Sequence, residues 1–303
     1  MAQIVQNTTL IIGACGQIGT ELTLALRNAK GASKIIASDI REGGEQLLQS
    51  GPFEMVDATD YGAIEDTVLH HDVSEIYLMA AMLSATAEKF PEKAWNLNMK
   101  SLLNVLNLGK EGKVQKIFWP SSIAVFGPDS PKENTPQQAI MDPTTVYGIS
   151  KLAGERWCSY YHQKYGVDIR SIRYPGLISW KTAPGGGTTD YAVEMYHKAV
   201  SNGRYSCFLE KDSRLPMMYM DDAIRATLQL MEAPSERIKI RSSYNLSAIN
   251  FTPEELAENI KTHIPDFKVD YAPDFRQKIA DSWPSSMDDQ AARRDWGWDP
   301  KFD

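Results

Sequence analysis

Thr8-Thr9-Leu10-Ile11-Ile12-Gly13-Ala14-Cys15-Gly16-Gln17-Ile18-Gly19 decides how this chain folds. Residues 8–12 are β-branched or apolar and predict a buried strand, and the glycines that follow predict a tight turn. Over residues 17–29, Ile18, Leu22 and Leu26 recur at helical spacing. A strand, a glycine turn and a helix in this order can cradle a pyrophosphate. The glycines let it approach the backbone, and the free amides of the helix N-terminus face it. The pattern predicts a dinucleotide site at Gly13, Gly16, Gln17, Ile18 and Gly19.

Outward from this unit, short apolar runs at 34–38, 53–56, 75–79, 116–119 and 168–173 alternate with helical patterns. Those at 91–109 and 147–165 are the clearest. This alternation predicts an α/β fold with a doubly wound parallel Rossmann sheet. After Tyr174 the texture changes. Pro175-Gly176 and the run Ala183-Pro184-Gly185-Gly186-Gly187-Thr188-Thr189 break the alternation, and a helix at 221–231 and a strand at 243–246 follow. Thr252-Pro253-Glu254-Glu255 opens a further helix with a capping Thr, Pro in the first turn and two carboxylates. The expected organisation is a cofactor domain over 1–175, to which 215–248 return. A smaller, partly helical substrate lobe is expected from 176–214 and 249–303.

Asp39 closes the second strand about 20 residues beyond the last glycine, where a carboxylate accepts hydrogen bonds from adenosine ribose hydroxyls and repels a 2′-phosphate. NAD is therefore expected rather than NADP, with Arg41 leaving some NADP tolerance open. Asp57 either reaches an adenine amino group or simply forms the turn at 56–60.

Tyr147 and Lys151 stand one helical turn apart in Thr145-Val146-Tyr147-Gly148-Ile149-Ser150-Lys151. A phenol ionises near pH ~10 and makes a poor base in neutral water, but a neighbouring cation lowers that value. The pair is a candidate proton shuttle for an alcohol. On its own the spacing also fits a solvated helix face.

The net charge of -7 and pI of 5.4 exclude a general affinity for nucleic acid or anionic membrane. No apolar run approaches the ~18 residues of a membrane span, and residues 1–9 lack the pattern of a signal peptide. Three scattered cysteines, Cys15, Cys158 and Cys207, point to a reduced, cytoplasmic setting. The five histidines offer no convergent ligand pattern, so no metal is expected.

Together these residues resemble the extended short-chain dehydrogenase/reductase family over almost the whole chain. The resemblance rests on the glycine turn, Leu78-Met79-Ala80-Ala81, Asn98, Pro120-Ser121-Ser122-Ile123-Ala124-Val125-Phe126-Gly127, the Ser122-to-Tyr147 interval, Tyr147/Lys151, Arg173-Tyr174-Pro175-Gly176 and Met218-Tyr219-Met220-Asp221-Asp222-Ala223. Within it, the chain is most similar to the short-chain type of L-threonine 3-dehydrogenases. Four stretches carry that likeness: Pro120-Ser121-Ser122-Ile123-Ala124-Val125-Phe126-Gly127-Pro128, Pro184-Gly185-Gly186-Gly187-Thr188-Thr189-Asp190-Tyr191-Ala192, Leu215-Pro216-Met217-Met218-Tyr219-Met220-Asp221-Asp222 and Asp281-Ser282-Trp283-Pro284. Relatives usually run slightly beyond the segment Trp296-Gly297-Trp298-Asp299-Pro300, near which this chain stops.

The resemblance implies NAD-dependent oxidation of the C3 hydroxyl of L-threonine. Tyr147 would be the general base, Lys151 would lower its pKa and hold a ribose, and Ser122 would bind the substrate oxygen. Ser121 would take that role if the register slipped by one. Asn98 resembles the family's water-anchoring helix Asn, though it could equally break its helix locally. Leu78, Ala80, Ala81, Tyr174 and Pro175 are expected to contact the cofactor, and Ser84, Gly187, Thr188, Thr189 and Trp283 the substrate. The glycine run is expected to hinge over it. A homodimer is expected through the helix carrying Tyr147 and the one at 91–109, where Leu102, Leu103, Val105 and Leu106 supply either apolar surface or internal core. The alternatives are a nucleotide-sugar epimerase or dehydratase with recycled NAD, and a non-catalytic NAD sensor.

Overall fold

A computed structural model describes residues 8–181 and 185–302. Seven parallel strands form the central sheet: β1 (Thr8–Ile12), β2 (Ile35–Asp39), β3 (Phe53–Met55), β4 (Val73–Leu78), β5 (Lys116–Ser122), β6 (Asp168–Tyr174) and, later in the chain, β10 (Tyr244–Asn245). Their spatial order is β10-β6-β5-β4-β1-β2-β3. The chain winds outward from β1 to β2 and β3, then returns to lay β4, β5 and β6 on the other side of β1. The order therefore reverses between β1 and β4, and such a switch point leaves a crevice at the carboxyl ends of both strands. Residues 13–16 and 79–83 lie at those ends.

Strand alternation sends side chains to two cores. Ile11, Tyr77, Phe118 and Ile172 point to one face, packed by α1 (Gln17–Lys30) and, from the later chain, α8 (Met220–Glu232) and α11 (Gln290–Trp296). Leu10, Ile12, Ile76, Leu78, Ile117 and Trp119 point to the other. On that side α3 (Tyr61–His70), α5 (Pro91–Lys110) and α6 (Val146–Tyr165) bury Ile64, Leu102, Val105, Leu106 and Cys158. Short helices α2 (Glu45–Ser50) and α4 (Ser84–Lys89) complete this part.

A third core lies beyond the sheet. It gathers Tyr191 and Met195 of α7 (Tyr191–Asn202), Leu256 and Ile260 of α9 (Pro253–His263), Ile279 of α10 (Phe275–Ser282), and Trp283. Two small sheets frame it. In one, β9 (Leu215–Tyr219) lies between β7 (Gly176–Ile178) and β11 (Ile249–Phe251); in the other, β8 (Arg204–Cys207) pairs with β12 (Lys268–Tyr271). Tyr147 and the segment Ile123-Ala124-Val125-Phe126 join this third core, so the candidate base sits where sheet and lobe meet.

One sequence expectation changes here, and one open alternative is decided. Residues 290–298, expected in the lobe, pack on the large sheet through Ala292, Trp296 and Trp298, with Tyr244 donating to Asp295 (2.9 Å). Leu102, Val105 and Leu106 are wholly buried and Leu103 packs partly buried against the same core, so these residues serve the internal core rather than a partner surface. The exposed apolar side chains on α5 and α6 are instead Trp95, Ile149, Trp157, Tyr160 and Tyr165. Among the described residues no helix is long and apolar enough to cross a membrane, and no His/Cys/Asp/Glu cluster could hold a metal.

Candidate active site

The glycine turn is shaped by contacts that no side chain would permit. Gly13 has φ +93°, and a Cβ there would lie 2.4 Å from the Ala80 nitrogen; one on Gly19 would lie 2.2 Å from the Gly13 oxygen. Gly13 therefore lets β1 and β4 close on each other, and Gly19 lets α1 pack down on the turn. At Gly16 the nearest contact is 3.4 Å away, on the exposed side where a ligand can approach. No side chain caps α1, which leaves its first amides available to an anion.

Beside this turn a cavity of about 250 Å³ is lined by Gly13, Gly16, Asp39, Asp57, Ala80 and Ala81, among others. The Asp39 carboxylate accepts from the Cys15 amide (3.0 Å) and the Arg41 amide (3.2 Å). The Arg41 guanidinium stands 3.7 Å away with its side chain mostly in solvent. Asp57 accepts from the Thr59 amide and hydroxyl, both at 2.8 Å. It thus forms the turn while still lining the cavity.

A second cavity, about 130 Å³, shares Met79 and Ala81 with the first, so the two form one groove along the switch point. Gln17, Ile18, Ser122, Tyr147, Lys151, Tyr174 and Pro175 line its sheet side; Ser84, Gly187, Thr188, Thr189 and Trp283 line its lobe side. Of the residues the sequence singled out, Leu78, Gly19 and Asn98 line neither cavity. Leu78 shares the inward face of β4 with Ile76, and Gly19 acts through packing. The Tyr174 hydroxyl is bonded to Thr227, so it faces the groove without presenting a free hydroxyl.

Tyr147 is buried, and burial pushes its phenol up to about 12, against the pull of a hydrogen bond with Ser122. Burial pushes Lys151 down to about 7, opposed by Cys158 and Glu155 farther along α6. The spacing assigns Lys151 to lowering the phenol, yet its ammonium donates to the Pro120 carbonyl (2.5 Å). It lies 4.5 Å from the Trp119 ring centre and 5.6 Å from that of Tyr147. The ammonium is held one step deeper than the helical repeat alone suggests, and burial dominates both groups.

The neighbouring serines divide their work. Ser121 donates to Glu155 (2.6 Å), which is gripped by both ends of the Arg173 guanidinium at 2.8 Å. Ser122 faces the cavity and accepts from the Ala124 amide (3.2 Å). Asn98 makes no local helix-breaking bond. It accepts from the Met82 amide (2.8 Å) and donates to the Met82 carbonyl (3.3 Å) and to Ser150 (3.1 Å), tying α5 to the segment after β4 and to α6.

The lobe side is built on Asp190, which sequence reasoning passed over. Its carboxylate accepts from the amides of Gly186 (2.8 Å) and Gly187 (2.6 Å), and burial raises its pKa. An acid just after a glycine run and before a helix was the available signal. The Ser84 hydroxyl lies 3.2 Å from that of Thr188 and accepts from the Thr188 amide (3.3 Å). Ser84 therefore meets the glycine loop rather than capping α4. Ala183 and Pro184, the first residues of that run, lie outside the described residues.

The profile of the NAD dependent epimerase/dehydratase family matches residues 9–247. The chain belongs to this family. An uncharacterized epimerase/dehydratase from Staphylococcus saprophyticus is 52% identical over 296 residues, covering 97% of this chain and 92% of that protein. A partial-consensus L-threonine 3-dehydrogenase superposes with a TM-score of 0.96 at 56% identity, covering 98% of this chain and 95% of that one. A GalE-like L-threonine dehydrogenase from Cupriavidus necator, in its holo form, gives 0.95 at 54% identity over 98% and 96%. As a member of an NAD-dependent family the chain is an enzyme that uses NAD, and the glycine cradle, the uncapped α1 and the open side of Gly16 fit that dinucleotide.

Proposed function

We propose that this chain is an NAD-dependent L-threonine 3-dehydrogenase, oxidising the C3 hydroxyl of the amino acid to 2-amino-3-oxobutyrate. The observation that carries this reading is the lining of the 130 Å³ cavity. Among the described residues Lys151 is its sole cation, and that ammonium is already committed to Pro120. A nucleotide sugar would bring two phosphates into a space that offers them no further positive charge. A small zwitterion needs only a few well-placed polar groups inside a mostly apolar wall. The hydroxyls of Ser84, Thr188 and Thr189 provide donors for a carboxylate, and Trp283 closes the cavity opposite Tyr147 and Ser122.

NAD, when bound, would supply the hydride acceptor. Asp39 would hold the ribose of its adenosine end and the α1 amides its phosphates. Tyr147 accepts the hydroxyl proton, and Ser122 hydrogen-bonds the substrate oxygen and the phenol, stabilising charge as it develops. Lys151, fixed by Pro120, lies in the same buried patch and favours the phenolate whenever it is charged. Asn98 and Ser150 hold α6 in register with the segment that carries Ser84. The glycine loop, pinned by Asp190, shields the reacting groups from water.

Following NADH absorbance tests the reading. L-Threonine should support NADH formation, UDP-glucose should not, and Tyr147→Phe should lower turnover at least ~100-fold while NAD still binds. Conversion of UDP-glucose to its epimer, followed by separating the sugar nucleotides because recycled NAD accumulates no NADH, with no reaction of threonine, would replace this reading with the epimerase one. The same chemistry argues against a non-catalytic sensor, which has no use for Ser122, Tyr147 and Lys151 around one cavity.

A further inference from the structure

Between β5 and α6 the chain makes a long excursion whose backbone pairs with the segment following Trp283. The Lys132 carbonyl accepts from the amides of Ser285 (2.8 Å) and Ser286 (3.3 Å) and from the Ser285 hydroxyl (2.9 Å). Asn134 donates its amide to the Ser286 hydroxyl (2.7 Å), and the Thr135 amide donates to the Ser286 carbonyl (3.0 Å). This strip stops at Ser285, two residues short of the wall of the cavity.

The Lys132 side chain continues it. Its ammonium donates to the carbonyls of Asp281 (2.9 Å), Trp283 (3.4 Å) and Gly127 (3.5 Å). The first two are orphan acceptors at the C-terminus of α10, where a cation also meets the negative end of the helix dipole. The third closes the loop Ser122-Ile123-Ala124-Val125-Phe126-Gly127, which begins at the proposed oxygen-binding serine. Gly127 is packed closely, since a Cβ there would lie 2.0 Å from the Asp142 oxygen, so even a methyl is excluded. Partial burial lowers the Lys132 pKa, which marks how far the ammonium is drawn out of water.

We propose that Lys132 is a positioning residue for substrate selection: its ammonium occupies a three-carbonyl cation site that fixes Trp283 against the Ser122 loop. Lys132 does not itself line the cavity. It sets the distance between two walls, Trp283 on one side and Ser122 on the other. Without it, α10 keeps its fold but Trp283 gains freedom, and a small substrate loses a tight fit while the reacting groups stay in place. This inference rests on the cavity being the substrate site.

The test uses the full chain with saturating NAD. In Lys132→Ala the carbonyls remain and the cation is gone, so KM for L-threonine should rise about fivefold to tenfold with kcat within about twofold. Propylammonium ions should then restore KM in Lys132→Ala and leave the wild type unchanged, a rescue that a merely structural role would not give. Lys132→Met keeps the stem without the charge and should match Lys132→Ala without responding to the amine. An unchanged KM in both variants overturns the proposal while leaving the dehydrogenase reading intact. If the wild type does not turn over threonine, that reading fails separately. Thermal melting then decides: a rise in melting temperature with propylammonium confined to Lys132→Ala supports the cation site, and its absence overturns it. A Lys132→Ala protein that loses kcat and KM together and regains neither with the amine also overturns it.

Discussion

Asp39→Asn should turn this enzyme from NAD toward NADP by a calculable amount. The carboxylate is 8% exposed and sits at the end of β2, held by the amides of Cys15 and Arg41. An amide of the same shape keeps an acceptor for one of those amides, so the turn should survive. Hydrogen bonds to a charged acceptor contribute about 1.5–3 kcal/mol and neutral ones about half that, so NAD should lose roughly 1 kcal/mol or a little more. For NADP the sign reverses. Two like charges about 5 Å apart at an effective dielectric of 20 repel by about 3 kcal/mol, and solvent at the groove mouth cuts this to about 1–2. Arg41, released from its 3.7 Å pairing, also becomes free to meet a 2′-phosphate. The two effects together should lower the NAD-to-NADP ratio of kcat/KM on the order of 100-fold. Initial rates of reduced-cofactor formation, with L-threonine saturating and each cofactor varied, measure that ratio. A ratio within about threefold of the wild type, in a variant with unchanged melting temperature, would refute the assignment of Asp39 to the ribose.

Ser122→Ala should lower kcat by about 100-fold or more, the usual size for losing one donor at a developing oxyanion, with no change in melting temperature. Because the working form is the phenolate of a group pushed up to about 12, the wild-type rate should rise close to tenfold per pH unit below that value. A flat profile from neutral to alkaline pH would exclude Tyr147 as the base. Glu155→Gln leaves a buried Arg173 without its bidentate partner and should cost about 3–5 kcal/mol in urea unfolding. A loss below about 1 kcal/mol would show that the Ser121–Glu155–Arg173 cluster does not hold β5, β6 and α6 together.

The sheet was legible because its signals are local. Each apolar run of β1, β2, β4, β5 and β6 stands between turn residues, and the Gly13-to-Gly19 spacing places the crevice before any contact is known. Leu78 shows where a local signal was present and unused. It alternates in phase with Ile76, and strand geometry alone turns it away from the groove. The reach of Lys151 belongs to another class. Helical spacing puts it below Tyr147, but only the register of β5 brings the Pro120 carbonyl close enough to take its ammonium. Asn98 and Ser84 are similar cases. Each has a plausible local role in the sequence and makes its bond with a residue far along the chain, Asn98 with Ser150 and Ser84 with Thr188.

That division follows the chemistry of the two half-sites. A dinucleotide is bound by backbone amides and by the absence of side chains, which one glycine-rich segment can specify by itself. A small zwitterion must be enclosed, and enclosure takes walls from several segments: Ser84 after β4, Ser122 after β5, Tyr147 on α6, Thr188 before α7 and Trp283 after α10. None of those segments carries the specificity alone. In the proposed reading, the hydroxyls of Ser84 and Thr188 would select by being neutral donors in a space where the described residues offer no free cation, so they would serve one carboxylate but not a diphosphate. On that proposal, selectivity would be set by how closely the lobe approaches the sheet. Substitutions that move the lobe, at Lys132 or Asp190, should change which substrates fit before they change the chemistry performed on them.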